Sequence, residues 1–133
     1  MQLAMGSPFD FVGIPVSVTW SGQETGKSVG QTRVQFDLVM PPNFTSVDES
    51  DQNHMVVDIA AVARNLKGEV VRDLYRRIDT HLKADGLEQI RNNGMTYRSA
   101  LLLPPGEYSV RFVVRDSIIN RIGSVAAPVR VSQ

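Results

Sequence analysis

The chain has 133 residues and no cysteine, and its 14 lysines and arginines balance its 14 aspartates and glutamates. This length fits one domain that can bury a core of its own, with no need of disulfides or a structural metal. The composition excludes disulfide frameworks, thiol nucleophiles and cysteine-ligated zinc, and the charge balance argues against nucleic acid and anionic membrane partners.

Residues 1–11 are predicted to be a flexible lead-in or a cloning remnant, and residues 12–133 a single domain. In that domain apolar residues recur at every second position, which is the period of a half-buried strand. The first such strand carries Ile14, Val16, Val18 and Trp20. A loop is predicted to follow from Ser21 to Gly30.

The second strand has the clearest alternation, and its inward positions are Val34, Phe36, Leu38 and Met40. Pro41 and Pro42 end it, because proline cannot donate a hydrogen bond to a neighbouring strand. Residues 43–53 combine three carboxylates with turn-forming residues, which predicts a solvated loop across one end of the fold.

Residues 54–64 have apolar side chains on both faces, as expected of a central strand. The following Asn65-Leu66-Lys67-Gly68 predicts a tight hairpin turn, with Gly68 at the position that needs a positive φ. Residues 69–82 fit both a strand and a helix, and we favour a strand because the hairpin turn directs this segment back onto its predecessor. Residues 83–94 are expected to hold one helical turn around Leu87–Ile90.

The C-terminal part predicts three more strands: one from Tyr97 to Leu103 and, after a turn at Pro104-Pro105-Gly106, two further strands. The inward side chains of these last two strands are Tyr108, Val110, Phe112 and Val114, then Val125, Ala127, Val129 and Val131. About seven strands without a long helix predict an all-β fold, a two-sheet antiparallel sandwich of the immunoglobulin or fibronectin type III kind.

Several residues are assigned structural roles. Pro105 and Gly106 form the turn before Tyr108, which is placed to make a tyrosine corner, in which its hydroxyl bonds to nearby backbone. Asp116 ends its strand and is expected to accept backbone N–H groups in the turn before Gly123.

The candidates for chemistry are few. His54 opens a strand beside the acidic loop and His81 lies in the ambiguous segment, but no Gly-x-Ser-x-Gly elbow accompanies them, so no enzyme is predicted. Asp48, Glu49 and Asp51 are candidate calcium ligands, although the spacing of an EF-hand is absent and a merely solvated loop is the alternative. No cofactor is predicted.

Two surface features have competing interpretations. The first is a group of five basic residues near the hairpin: Arg64, Lys67, Arg72, Arg76 and Arg77. They form either a locally basic region that suits an anionic partner or simply the charged outward positions of a sheet. Trp20 and Tyr97 would stack on a sugar ring if exposed, whereas the inward phase of Trp20 predicts a core position.

The segment from Leu101 to Asp116, with Arg121–Ser124 and Pro128–Val131, resembles the C-terminal β-sandwich of acidobacterial von Willebrand factor A-related proteins. The resemblance is close over residues 97–131 and looser back to residue 12, and Asn120 stands where that family has glycine. The Asp-x-Ser-x-Ser metal-adhesion motif of the von Willebrand A domain does not occur, so metal-dependent adhesion is not implied.

The resemblance implies an accessory module of a larger exported bacterial protein, located in the periplasm or outside the cell. Its expected partner is a protein, either a neighbouring domain or an envelope component. A module that binds carbohydrate or peptide is the alternative, and neither nucleic acid binding nor membrane insertion is expected.

Overall fold

The computed structural model describes residues 13–25 and 30–132, so the predicted lead-in lies outside the described residues. Seven strands run through these ranges: β1 (Ser17–Thr25), β2 (Thr32–Met40), β3 (His54–Arg64), β4 (Val70–His81), β5 (Met95–Leu103), β6 (Gly106–Asp116) and β7 (Arg121–Val131). A 3₁₀ turn at Glu49–Asp51 precedes β3, and helix α1 (Ala84–Asn93) joins β4 to β5.

The strands form two antiparallel sheets, one with the order β1-β2-β5 and the other with the order β4-β3-β6-β7. The predicted all-β, two-sheet antiparallel sandwich is therefore confirmed, as is the strand count. Within the described ranges, no helix combines the length and apolar character needed to cross a bilayer.

The core lies between the sheets and is built from the alternating apolar positions. Each sheet contributes a fully buried ring, and Phe36 of β2 packs against Phe112 of β6 with ring centroids 4.8 Å apart. The inward side chains of the two long central strands are Met55, Val57, Ile59, Ala61 and Ala63 on β3, and Tyr108, Val110, Phe112 and Val114 on β6. Burial of each large apolar side chain contributes roughly 1.5–3 kcal/mol, which makes this layer the main source of stability.

Side-chain hydrogen bonds join the two sheets along both lateral edges of the sandwich. On one side Trp20 Nε1 of β1 donates to the Pro128 carbonyl of β7, and Gln23 Nε2 donates to the Arg130 carbonyl. On the other side Arg72 Nε of β4 donates to the Leu102 carbonyl of β5. The edge strands of one sheet are thus tied to the edge strands of the other.

The segment from Ser21 to Thr25, predicted as loop, is the second half of β1. The prediction was wrong because the register with β2 shifts between Trp20 and Gly22, where a β-bulge adds one residue. The bulge moves the alternation by one position, so Gln23 comes to lie opposite the buried Val34. Because the inward-facing positions shift by one residue within β1, its apolar residues do not alternate regularly along the whole strand.

The loop at residues 43–53 is less solvated than predicted. Phe44 and Thr45 are buried, with 3% and 4% of their surface exposed, and Phe44 belongs to the core. Arg121 donates to the Phe44 carbonyl at 2.9 Å, which fixes this part of the loop against the start of β7.

The region between β4 and β5 holds more helix than expected. Helix α1 has 10 residues, or about three turns, where a single turn was predicted. Only Ile90 of the helix is buried, so the apolar stripe that would reveal a helix in the sequence is narrow. The strand interpretation of residues 69–82 is confirmed by β4, whose Leu74 and Ile78 pack against the core.

Candidate functional site

Two histidines and two aspartates meet on the outer face of the four-stranded sheet, at the end where β3 begins and β4 finishes. His54 and His81 are directly opposite each other in the β3–β4 ladder, and their rings stack with centroids 4.6 Å apart. Asp51 lies 3.2 Å from Nδ1 of His54 and 3.7 Å from Nε2 of His81. Asp79 Oδ1 lies 2.6 Å from Nε2 of His54. We call these four residues the histidine cluster.

Backbone pairing holds the loop of the histidine cluster in place. Asp48 and His54 exchange two backbone hydrogen bonds, of 2.9 and 3.1 Å, so the 3₁₀ turn that carries Asp51 is pinned at both ends. Asn53 and Leu82 are also joined twice, through Leu82 N to the Asn53 carbonyl and through Asn53 Nδ2 to the Leu82 carbonyl. Asp51 therefore reaches the histidines from a fixed backbone.

The electrostatics around His54 favour the charged form of its imidazole. The hydrogen bond from His54 to Asp79 raises the pKa of His54, with smaller contributions in the same direction from Asp79, Asp51 and Asp48 as charges. The side chains of Asp51 and His81 are 58% and 50% exposed, so the cluster lies on an open surface. Sequence reasoning placed His54 beside the acidic loop but did not bring it together with His81.

The three candidate calcium ligands do not converge. Asp48 caps the 3₁₀ turn and accepts hydrogen bonds from the Ser50 backbone and hydroxyl, which lower the pKa of Asp48. Glu49 pairs with Arg91 of α1, and Asp51 faces the histidines. Among the described residues, the one group of three side chains close enough to share an ion is Asp51, His54 and His81.

The basic residues near the hairpin are divided among separate tasks. Arg64 donates to the Gly68 carbonyl within the turn, Arg72 bonds across to β5, and Arg77 pairs with Asp58. In the ladder, Arg76 lies opposite the inward-facing Ile59 and Arg77 opposite the outward-facing Asp58. The hairpin therefore does not present one continuous basic surface.

Sequence reasoning missed Asp58, a carboxylate on the outer face of β3 that is only 1% exposed. It accepts hydrogen bonds from Arg77 Nε at 2.8 Å, from the Tyr75 hydroxyl at 2.7 Å and from the Ser117 hydroxyl at 2.5 Å. Burial alone would raise the pKa of Asp58, but these donors hold it well below its usual value. The sequence signal that could have revealed such a network is a carboxylate in the middle of an apolar strand.

Gly68 and Tyr108, two of the residues assigned structural roles, lie in or next to turns. Gly68 closes the β3–β4 turn with a φ of 82°. Tyr108 is buried beyond the Pro105–Gly106 turn, and its hydroxyl donates to the Pro104 carbonyl at 2.6 Å, four residues upstream, as in a tyrosine corner. Burial raises the pKa of the Tyr108 hydroxyl.

Asp116 and Gly123 connect distant parts of the chain. Asp116 is fully buried and accepts from Ile118 N at 3.0 Å in the β6–β7 turn, and from Ser46 N at 2.6 Å in the crossing loop. Gly123 of β7 lies against Ile14, since a Cβ atom built on it would stand 1.9 Å from the Ile14 carbonyl oxygen.

An open cleft lies at the opposite end of the sandwich, beside the β3–β4 turn. It has a volume of about 720 Å³, and its lining comes from that turn, the start of β6 and the end of β7. We call it the end cleft; its main lining residues are Leu66, Glu107, Tyr108, Pro128, Val129 and Arg130. A smaller hollow of about 380 Å³ adjoins it and also includes Leu66, together with Val71, Pro104 and Pro105.

Leu66 is the most exposed large hydrophobic side chain in the described part of the chain, at 82%. The charges on the rim of the end cleft are balanced, because Glu107 and Arg130 pair with each other at 3.8 Å. The end cleft therefore offers an apolar surface without an excess of either charge.

The aromatic residues considered for sugar stacking face the interior. Trp20 is partly buried, with its ring 5.7 Å from that of Phe112, and its indole N–H is bonded to Pro128. Tyr97 packs against the core, 6.2 Å from the ring of Phe36. Both side chains are partly buried and pack against the core.

Comparison with known proteins finds neither a matching protein family nor a matching curated protein. Among solved structures, the X-ray structure of Northeast Structural Genomics Consortium target SoR45 matches with a TM-score of 0.41 and 10% sequence identity. That match covers 90% of this chain and 85% of the other. A similarity of this degree supports no conclusion about function.

Proposed function

We propose that the chain is a non-catalytic β-sandwich module that binds an apolar segment of a partner protein in the end cleft. The observation that carries the proposal is the convergence of three backbone segments around a concave apolar surface that displays Leu66, 82% exposed. Large apolar side chains exposed beside a cleft mark interaction sites, because their burial on binding is favourable.

The balanced rim favours an uncharged apolar segment as the occupant. The Glu107–Arg130 pair already satisfies two charges at the rim, so a strongly acidic or basic ligand would gain little there. A partner strand added at β7, the sheet edge beside the end cleft, is less favoured, since Pro128 removes one donor from β7 and its carbonyl is already bonded to Trp20.

A catalytic role for the histidine cluster is less favoured than binding. A histidine and carboxylate act as a catalytic pair when a pocket holds the substrate against them. Here Asp51, Asp79 and His81 are each at least half exposed, at 58%, 53% and 50%. Carbohydrate binding, the other alternative, loses support from the inward positions of Trp20 and Tyr97.

The division of the strands supports an immunoglobulin-like or fibronectin-like relationship. In constant-type immunoglobulin domains the first, second, fourth and fifth strands form one sheet and the third, sixth and seventh form the other. The chain divides six of its strands in the same way, and β4 alone has changed sheets to pair with β3. We propose on this basis an accessory module of an exported bacterial protein, as the resemblance to von Willebrand factor A-related proteins implies.

Selection from a random peptide library, with a glycan array in parallel, tests the proposed binding function. We expect the wild-type protein to select apolar peptides and to leave the glycan array blank. Leu66→Asp should weaken binding of a selected peptide at least about tenfold, because a charge would enter the apolar surface. The matched control is Ile119→Asp, which changes a side chain that is 52% exposed at the opposite end and should leave affinity unchanged.

Three outcomes would contradict the proposal. One is binding to glycans without any selected peptide. Another is equal affinity of the wild-type protein and Leu66→Asp for the selected peptide. The third is an equal loss of affinity in Leu66→Asp and Ile119→Asp, which would indicate a general effect of surface charge.

A further inference from the structure

We propose that Asp51, His54 and His81 form a binding site for a divalent transition metal ion, and that Zn²⁺ is the best-matched ion. The site is independent of the proposed binding function, since it lies at the other end of β3 from the end cleft. Eleven residues of β3 separate the two ends, or roughly 35 Å at about 3.3 Å per residue.

The ligand atoms are already grouped at a spacing that suits one ion. Nδ1 of His54, Nε2 of His81 and a carboxylate oxygen of Asp51 lie close together, and the three residues offer ligand atoms that are all within 4.8 Å of one another. Zinc bonds to imidazole nitrogen and carboxylate oxygen measure about 2.0–2.2 Å, so the stacked rings of His54 and His81 must turn until both nitrogen lone pairs point at one ion.

The donor set selects the kind of ion. Two imidazole nitrogens and one carboxylate suit zinc and its neighbours in the first transition series, whereas Ca²⁺ and Mg²⁺ prefer sites made of oxygen alone. The direct pairing of His54 with His81 across two antiparallel strands fixes the separation of the two imidazoles. With three protein ligands, a tetrahedral ion would keep one position for water or for a further ligand.

Asp79 supplies the outer contact that histidine ligands of metals usually have. A metal-bound imidazole donates its second N–H to a carboxylate or carbonyl, which fixes the ring and raises its basicity as a ligand. Asp79 Oδ1 stands 2.6 Å from Nε2 of His54, on the side of the ring away from Asp51. This contact leaves Nδ1 as the ligand atom, and Asp79 is therefore a positioning residue.

The backbone around the site is fixed without the ion. The Asp48–His54 bridge and the double link between Asn53 and Leu82 hold the 3₁₀ turn against the ends of β3 and β4. A site whose ligands are held in place loses little conformational entropy when the ion binds.

Isothermal titration of the wild-type protein with Zn²⁺ alone, at neutral pH, tests this site. We expect one ion per chain. Asp51→Asn and His81→Asn should each lower the affinity for Zn²⁺ at least about tenfold, and Asp79→Asn should lower it about tenfold by releasing the His54 ring. Asp73→Asn is the matched control, because Asp73 is an exposed aspartate on the same strand and face as Asp79. It should leave the affinity unchanged.

A second measurement uses Co²⁺ in place of Zn²⁺. An ion bound by two histidines and one carboxylate in tetrahedral geometry has an intense visible absorption, which an octahedral aqueous Co²⁺ ion lacks. His81→Asn should abolish this absorption while its circular dichroism spectrum remains that of the folded protein. The Co²⁺ absorption does not depend on partner binding. The metal site can therefore be disproved while the end cleft still binds peptide, and peptide binding can be disproved while the metal site still binds Co²⁺.

The proposal would be overturned by any of the following results. These are the absence of Zn²⁺ binding at millimolar concentration, equal affinities in the wild-type protein and His81→Asn, an equal loss of affinity in Asp73→Asn, and preferential binding of Ca²⁺. One ion for every two chains would also contradict a site completed within a single chain.

Discussion

The indole N–H of Trp20 donates to the carbonyl of Pro128, 108 positions away, over a distance of 2.9 Å. This hydrogen bond joins β1 of one sheet to β7 of the other and occupies a carbonyl at the edge of the sandwich. The residue that sequence reasoning considered for sugar binding is thus part of the closure between the sheets. A second hydrogen bond, from Gln23 to the Arg130 carbonyl, closes the same lateral edge of the sandwich.

Trp20→Phe tests that closure, because it keeps an aromatic ring near Phe112 and removes the N–H donor. We expect a loss of about 0.5–1.5 kcal/mol in the free energy of unfolding, the usual worth of one hydrogen bond. Urea denaturation measures it. Stability equal to that of the wild-type protein would show that the bond to Pro128 contributes nothing.

Asp58→Asn tests the buried carboxylate. The mutation should cost about 1–3 kcal/mol at neutral pH, because Arg77 loses a charged acceptor and a hydrogen bond in a buried network is broken. Asp73→Asn, at an exposed position opposite Val62, serves as the control and should change stability little.

The contribution of Asp58 should also depend on pH. Its pKa is lower in the folded protein than in the unfolded chain, so the stabilisation is complete above the unfolded value of about 3.9. It is lost as the pH falls from about 4 towards the depressed pKa of the folded state. The difference in unfolding free energy between the wild-type protein and Asp58→Asn should therefore shrink below about pH 4. A difference that stayed constant into this acid range would contradict the assigned network.

Gly123→Ala tests the close contact between β7 and Ile14. A Cβ atom at this position would stand 1.9 Å from the Ile14 carbonyl oxygen, so the backbone must move apart, at a cost of about 1–3 kcal/mol. Gly86→Ala in α1 is the matched control, since its new Cβ atom would make an ordinary contact at 3.5 Å with Leu82. It should stabilise the protein by roughly 0.5–1 kcal/mol through helix propensity. Thermal melts measure both variants. Equal changes in melting temperature for Gly123→Ala and Gly86→Ala would show that the contact with Ile14 is unimportant.

Tyr108→Phe removes the hydroxyl that bonds to the Pro104 carbonyl and leaves the ring in the core. We expect a loss of about 1 kcal/mol in unfolding free energy. Tyr97→Phe is the comparison, because its ring packs on Phe36 and is unchanged by the mutation. If both variants lost the same stability in guanidinium titrations, the corner at Tyr108 would have no special role.

Strands with an unbroken alternation could be predicted from the sequence. β2 and β6 have buried side chains at every second position, from Val34 to Met40 and from Tyr108 to Val114, and their sequences show this directly. The second half of β1 could not be predicted, because the bulge after Trp20 reverses the phase. Helix α1 was underestimated because it buries only Ile90.

The histidine cluster illustrates why a site is harder to predict than a strand. A hairpin about Asn65–Gly68 is visible in the sequence, but a regular ladder continued from the pair Arg64–Val70 would place Thr80, not His81, opposite His54. The register shift between Ala63 and Arg64 corrects this by one residue and aligns the two histidines. A single bulge therefore decides whether the site exists, and the bulge leaves no clear mark in the sequence.

The most direct test of the proposed function is to map where a selected apolar peptide binds, by following backbone amide resonances during an NMR titration. The end cleft predicts that the largest shifts occur at Leu66, Tyr108 and Val129, with little change at the histidine cluster. Shifts confined to the edge strand β4 or to the histidine cluster would contradict the proposed function.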